Sequence, residues 1–204
     1  MYNEGGFLTK LLNCNFVSNQ AKFFGGALYA TSDALDIEAC TFISNFADNQ
    51  GSAIYLFAQS TAIVHQSIFV SNSATFFGGA IFASNVSSSF FFLSFFLLKT
   101  FKKKASLNSS HNCYSNNSAQ YGGAIGSHST SKIFLVKDNF YHNSATSGGG
   151  MYIDKSGTLD VTGGDFIGNT ATTNGGFFFA FILLLFSLLL FLPFFFFLNI
   201  PSTL

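Results

Sequence analysis

The sequence contains no arginine in 204 residues, and its charged residues amount to only 9% of the chain. Its nine basic residues, all lysine, balance nine acidic ones, so the formal net charge is zero. Without guanidinium forks there are no bidentate clamps on phosphate or carboxylate, and the basic footprint of a nucleic-acid binder is missing. No nucleic-acid partner is expected, and the charge balance points to no electrostatic partner.

Cysteine is nearly as scarce. Three residues, Cys14, Cys40 and Cys113, form no even framework and no C-x-x-C pattern, so they reveal neither a compartment nor a redox or metal motif. The four histidines, His65, His111, His128 and His142, lack the close or i, i+4 spacing of metal ligands. No metal and no cofactor are expected. The first residues, Met1 to Phe7, carry no basic stretch followed by an apolar one, so no secretory signal is readable. Gly5-Gly6 reads instead as the remnant of an earlier repeat, which predicts an N-terminally incomplete chain.

What the sequence does contain is repetition. The pattern in Phe69, Asn72, Ala74, Gly78 and Gly79 returns as Phe16, Asn19, Gly25 and Gly26, as Phe42, Asn45 and Gly51, and as Tyr114, Asn117, Gly122 and Gly123. It returns twice more, as Phe140, Asn143, Gly148 and Gly149, and as Phe166, Asn169, Gly175 and Gly176. Successive motif asparagines are 26, 27, 45, 26 and 26 residues apart. A period this short is too small for a propeller blade or a helical repeat, and it lacks the leucine-rich consensus. One turn of a parallel β-helix fits it.

The columns within each repeat support strands. Leu11, Ile37, Val64, Leu135 and Val161 stand five residues before the motif aromatic, and Leu35, Ala62, Ile133 and Leu159 stand seven before it. A separation of two puts both columns on one face of a strand, with Asp36 and Asp160 on the other. Past the glycine pair, Ala27-Leu28-Tyr29, Ala53-Ile54-Tyr55 and Ala80-Ile81-Phe82 read as a second strand. Each rung therefore has at least two strands. The roles this gives the motif are structural: Phe fills the interior, Asn takes a left-handed turn and hydrogen-bonds between rungs, and Gly-Gly permits a corner.

The linked Phe-x-x-Asn and Gly-Gly-Ala-Ile elements, nearly complete at Phe69 to Ile81 and Tyr114 to Ile125, resemble the repeats of chlamydial polymorphic membrane proteins and of large protist surface proteins. The resemblance spans about residues 13 to 176. Departures are Ser52 for the second glycine, a shortened Asn-to-Gly spacing after Asn117 and Asn143, and Phe177 where Ala is due. The resemblance implies a right-handed parallel β-helix of the pectin-lyase-like type, displayed outside the cell for adhesion, and it brings no catalytic residues to transfer.

Two stretches stand outside the repeat. From motif glycine to next motif aromatic the distance is 17 or 18 residues, except for 36 between Gly78 and Tyr114. The 18 extra residues fall over 86–103, a Phe-rich run followed by lysines that is too short to span a bilayer. Three readings remain: a lateral loop, a basic-flanked membrane-surface anchor, and an intron translated in frame. The third is favoured, because Val-Ser can be encoded by a splice-donor sequence, Phe/Leu runs follow from a T-rich tract, and joining Asn85 to Lys104 restores the period. The second stretch, 177–198, is uncharged and apolar, a transmembrane candidate expected to be helical with Pro193 kinking or ending it. The same T-rich read-through could produce it. A short tail, 199–204, follows.

The remaining polar residues include candidates for paired-carboxylate and thiol chemistry. Asp36 and Asp160 share a column but lie four rungs apart, roughly 19 Å at normal strand spacing, too far to work as paired carboxylates. Asp138, Asp154, Lys155 and Asp165 read as solvated. Cys14 and Cys40 align in adjacent rungs, where a disulfide is geometrically open but stacked buried thiols are favoured. Asn85-Val86-Ser87, Asn108-Ser109-Ser110 and Asn116-Asn117-Ser118 are glycosylation sequons.

The sequence thus predicts an all-β, right-handed parallel β-helix of about six rungs over 1–176, interrupted at 86–103, and a hydrophobic segment at 177–198. The expected function is that of a non-enzymatic, adhesin-like repeat protein, a fragment of a longer membrane-associated protein, at a membrane or the cell surface. Its partners would be a membrane through 177–198 and a protein or glycan surface. The alternatives are a carbohydrate-active β-helix enzyme and a non-functional fragment or gene model with retained introns.

Overall fold

The chain was analysed as a computed structural model, which describes residues 2–4, 8–32, 34–58, 60–85, 105–129, 131–154, 158–176 and 178–181. These wind into a parallel β-helix whose four sheets run along the axis, one strand per rung in each. Sheet I contains Tyr2–Glu4, Leu28–Thr31, Ile54–Phe57, Ile81–Asn85, Ile125–Ser129, Met151–Asp154 and Phe178–Phe181. Sheet II contains Leu8–Leu12, Ala34–Glu38, Thr61–His65, Ser106–Ser110, Lys132–Val136 and Thr158–Thr162. Sheet III carries the motif aromatics, in Asn15–Val17, Thr41–Ile43, Ile68–Val70, Cys113–Ser115, Asn139–Tyr141 and Phe166–Ile167. Sheet IV contains Gln20–Ala21, Phe46–Ala47, Ser73–Ala74, Ser118–Tyr121, Ser144–Ser147 and Thr170–Asn174. Six strands in each of sheets II to IV match the six rungs expected from the period, and four strands per rung exceed the two that the apolar columns revealed.

The interior is filled by the columns that period-two alternation assigned to it. Ile37, Val64 and Leu135 from sheet II, and Ile54, Ile81 and Ile125 from sheet I, are almost wholly buried. From sheet III come Phe42, Phe69, Tyr114 and Phe140, all buried, with neighbouring ring centroids 4.7 to 4.9 Å apart and planes within 19° of parallel. The ring spacing equals the strand spacing, so each face is covered by the next rung. Each such ring is worth about 3 kcal/mol in burial, with about 1 kcal/mol more per ring pair.

The corners hold one correction. The motif asparagines were expected to supply the left-handed conformation, but positive φ falls on the residue before each: Ser18, Ser44, Ser71, Asn116, His142 and Gly168, at 52° to 65°. The asparagine itself turns inward and uses its amide. The glycine pair behaves as expected, with the work divided. The first member, as at Gly78 (φ 61°), is left-handed. The second, as at Gly79, passes so close to the next rung that an added Cβ would meet the Gly123 carbonyl oxygen at 2.0 Å.

The extra residues leave the solenoid at a single corner, between sheets I and II. Ile81–Asn85 and Ser106–Ser110 each pair with strands on both sides without interruption. Ser84 pairs with Phe57 and His128, while Ala105 occupies the place of Ser60 and Ser131, so a two-residue link would close this corner as it closes its neighbours. The 86–103 stretch itself lies outside the described residues. At the far end, Phe178–Phe181 is a strand paired with Met151–Asp154, where the sequence suggested the start of a helical segment. Phe178 takes the register of the Ile column, which continues the rung pattern past Gly176. The rest of the expected apolar segment, and the 199–204 tail, lie outside the described residues. Among the described residues, no helix is long and apolar enough to cross a membrane.

Candidate functional site

The motif asparagines form an uninterrupted ladder. Asn19, Asn45, Asn72, Asn117 and Asn143 each donate from the main-chain N–H and from Nδ2 to Oδ1 of the next asparagine, ending at Asn169, over 2.9 to 3.1 Å. The second Nδ2 proton goes to the carbonyl oxygen of the preceding rung's aromatic, as from Asn72 to Phe42 at 2.9 Å and from Asn117 to Phe69 at 3.0 Å. Every hydrogen-bonding group of an internal asparagine side chain is thereby used, and Asn45, Asn72, Asn117 and Asn143 are buried. None is left to bind a ligand.

A second ladder, which the sequence concealed, runs along the turn between sheets II and III. Main-chain N–H groups of Cys14, Cys40, Ser67 and Asn112 donate respectively to Cys40 Sγ, Ser67 Oγ, Asn112 Oδ1 and Asp138 Oδ1. The residue type changes at almost every rung, and only the presence of an acceptor is common. Cys14 and Cys40 stand unbridged in this column, Cys40 buried and Cys14 half-buried. Burial pushes the Cys40 and Cys113 thiols up from their ordinary value. Asp138, expected to be solvated, is fully buried, with Oδ1 accepting from Asn112 N and Nδ2 and Oδ2 without a partner. Around it Ser109 replaces the valine of the neighbouring rung and bonds the Tyr114 hydroxyl at 2.8 Å. Inside an apolar stack these polar substitutions satisfy one another, except at Asp138 Oδ2.

On the outer surface, strand register brings together residues far apart in sequence. Lys10, Asp36, Glu38 and His65 cluster on sheet II: Lys10 Nζ lies 3.5 Å from Asp36, and His65 Nε2 lies 3.7 Å from Asp36 and 3.8 Å from Glu38. Asp160 is four strands from Asp36 and takes no part. Ser84, His128 and Asp154 share one column on sheet I. His128 Nε2 pairs with Asp154 at 3.2 Å, so Asp154 is not the solvated turn residue expected. Beside it, Phe77, Tyr121 and Tyr152 pack as a stripe, and burial, then Asp154, pushes the Tyr152 hydroxyl up to about 12. Phe77 and Tyr121 stack at 4.9 Å, and Tyr152 packs against both at a tilt. A pocket of about 390 Å³ lies on the first rung against Phe23, Phe24 and Tyr29. Among the described residues, no group of three or more His, Cys, Asp or Glu side chains could hold a metal ion.

Residues 39–56, from the turn before Phe42 through Asn45 and Gly51 to the strand of sheet I, match the family model of the Chlamydia polymorphic membrane protein (Chlamydia_PMP) repeat. This rung is similar to a polymorphic membrane protein repeat. The five other rungs reproduce its aromatic, asparagine and glycine columns in the same register. Ser52, the departure from the paired glycine, lies in the matched polymorphic membrane protein segment, and its Oγ donates to the Gly79 carbonyl oxygen. No curated protein and no solved structure matches the chain.

Proposed function

We propose that the chain is a non-enzymatic, adhesin-like repeat segment of a longer membrane-associated protein, displayed at a cell surface. The observation that carries this reading is that every signature side chain is consumed by the scaffold. The asparagines hold the rungs together, the aromatics stack inside, and the glycines fit corners. What remains for function is the outer surface, where Ile63, Ile68, Phe134 and Val136 are exposed between polar neighbours on sheets II and III. A flat face of this kind contacts a partner over many shallow points, as repeat scaffolds do. The match to the polymorphic membrane protein repeat supports the surface assignment. Membrane attachment through 177–198 belongs to the same proposal.

The experiment is binding of the full chain to arrayed glycans, matrix proteins and intact cells. Saturable binding that weakens when Ile68 and Phe134 are changed to Asp supports the reading. Binding indifferent to these outer faces contradicts it.

One observation favours a second reading, a carbohydrate-active enzyme: Asp36 and Glu38 project side by side next to His65 on an open sheet face. An assay on acidic polysaccharides separates the two. Turnover abolished by Asp36→Asn or Glu38→Gln establishes the enzyme, whereas the adhesin reading expects no turnover.

A further inference from the structure

The turn ladder ends in an anomaly. Asn112 and Asp138 occupy the same column in adjacent rungs, and both are buried. Asn112 uses its two ends differently: Oδ1 accepts from Ser67 N–H, while Nδ2 donates to the Val64 carbonyl oxygen at 2.9 Å, to Ser109 Oγ and to Asp138 Oδ1. Asp138 repeats the first half, with Oδ1 accepting from Asn112 N–H at 2.8 Å. Its other end is an oxygen where Asn112 carries a donor. The acceptor equivalent to Val64 one rung on is the carbonyl of Ser109. A bare carboxylate there would set oxygen against oxygen, and Oδ2 has no hydrogen-bond partner.

We propose that Asp138 is held as the neutral acid, its Oδ2–H doing the work of an asparagine amide, so that this rung weakens as the solution becomes alkaline. The titratable group beside it in the core is the Tyr114 hydroxyl, itself raised by burial and by Asp138. On the strands and turns around it, Lys132, Lys137, His111, Asp160 and Asp165 are exposed, and Cys113 and Tyr141 are half-buried. No ion pair of the described residues includes Asp138. Burial pushes its carboxyl above the ordinary value, against the hydrogen bonds from Asn112, Ser109 and the Val136 main chain, which lower it. A carboxyl raised in the folded state binds its proton more firmly there than in the unfolded chain. Its contribution is complete below the ordinary carboxylate range and is lost as pH rises through the folded value.

The test is thermal unfolding of the full chain and of Asp138→Asn, in one detergent buffer, from about pH 5 to about pH 9. The wild-type midpoint should fall relative to the variant by at least about 2–4 °C across that range, and the variant should be the more stable at the alkaline end. Parallel curves, or a variant less stable at the alkaline end, would overturn the proposal. Infrared spectra of protein carrying labelled aspartate give an independent reading on the unmutated chain. A protonated-carboxyl band at neutral pH supports the assignment, and its absence refutes it.

Discussion

Asn72 donates from its main-chain N–H and from Nδ2 to the single Oδ1 of Asn117, each over 3.0 Å, although the two residues are 45 positions apart in the chain. Elsewhere the same contact joins residues 26 or 27 apart. The ladder thus crosses the long interval with its geometry unchanged.

The ladder should be strongest in its middle. Asn117→Ala leaves two donors of Asn72 buried without partners, at about 1–3 kcal/mol for each, and takes one hydrogen bond from the Phe69 carbonyl oxygen. A loss of at least about 3 kcal/mol is expected in denaturant unfolding. Asn19→Ala, at the exposed end of the ladder, should cost less than half as much. Equal costs would mean that the ladder is not cooperative.

The second glycine of each pair is excluded from bearing a side chain by its neighbour's backbone. Gly79→Ala puts a Cβ against the Gly123 carbonyl oxygen, and overpacking of this kind costs about 1–3 kcal/mol or more. Ser52→Gly, in the same column, should change stability by less than about 1 kcal/mol, since it exchanges one hydrogen bond for relief of crowding. The two midpoint shifts, measured side by side, check the assignment.

Joining Asn85 to Lys104 by deleting 86–103 should leave the fold intact. Shortening the closure from about twenty residues to two favours folding by about 1–2 kcal/mol on loop-entropy grounds. The shortened chain is expected to keep its β-sheet circular dichroism and to melt no lower than the full one. A molten or aggregated product would show that the stretch is needed, against the translated-intron reading; sequencing the mature transcript addresses the same reading directly.

The repeat period and the inward columns were legible because they depend on residue type. A large aromatic ring fills the interior of each rung, and glycine recurs at the corner where a neighbouring carbonyl presses close. The left-handed residues before each asparagine were not legible, since Ser, Asn, His and Gly serve there alike. The second ladder was hidden for a related reason: it needs an acceptor, and Cys, Ser, Asn and Asp all provide one. Asp138 therefore looked like a surface acid. The Lys10, Asp36, Glu38 and His65 cluster was hidden by distance, because only the register of Leu12 with Glu38 and of Glu38 with His65 brings it together. The strand at Phe178–Phe181 was masked by an apolar run long enough to read as a membrane span.

The central claim is that the signature asparagines hold the scaffold and do not bind a ligand. Hydrogen exchange of the asparagine side-chain amides, followed by NMR on the assigned full chain, tests it most directly. Nδ2 protons of Asn45, Asn72, Asn117 and Asn143 should be protected to the level of the core strands, with Asn19 exchanging faster. Rapid exchange at Asn72 and Asn117 would contradict the ladder, and with it the assignment of the motif to structure.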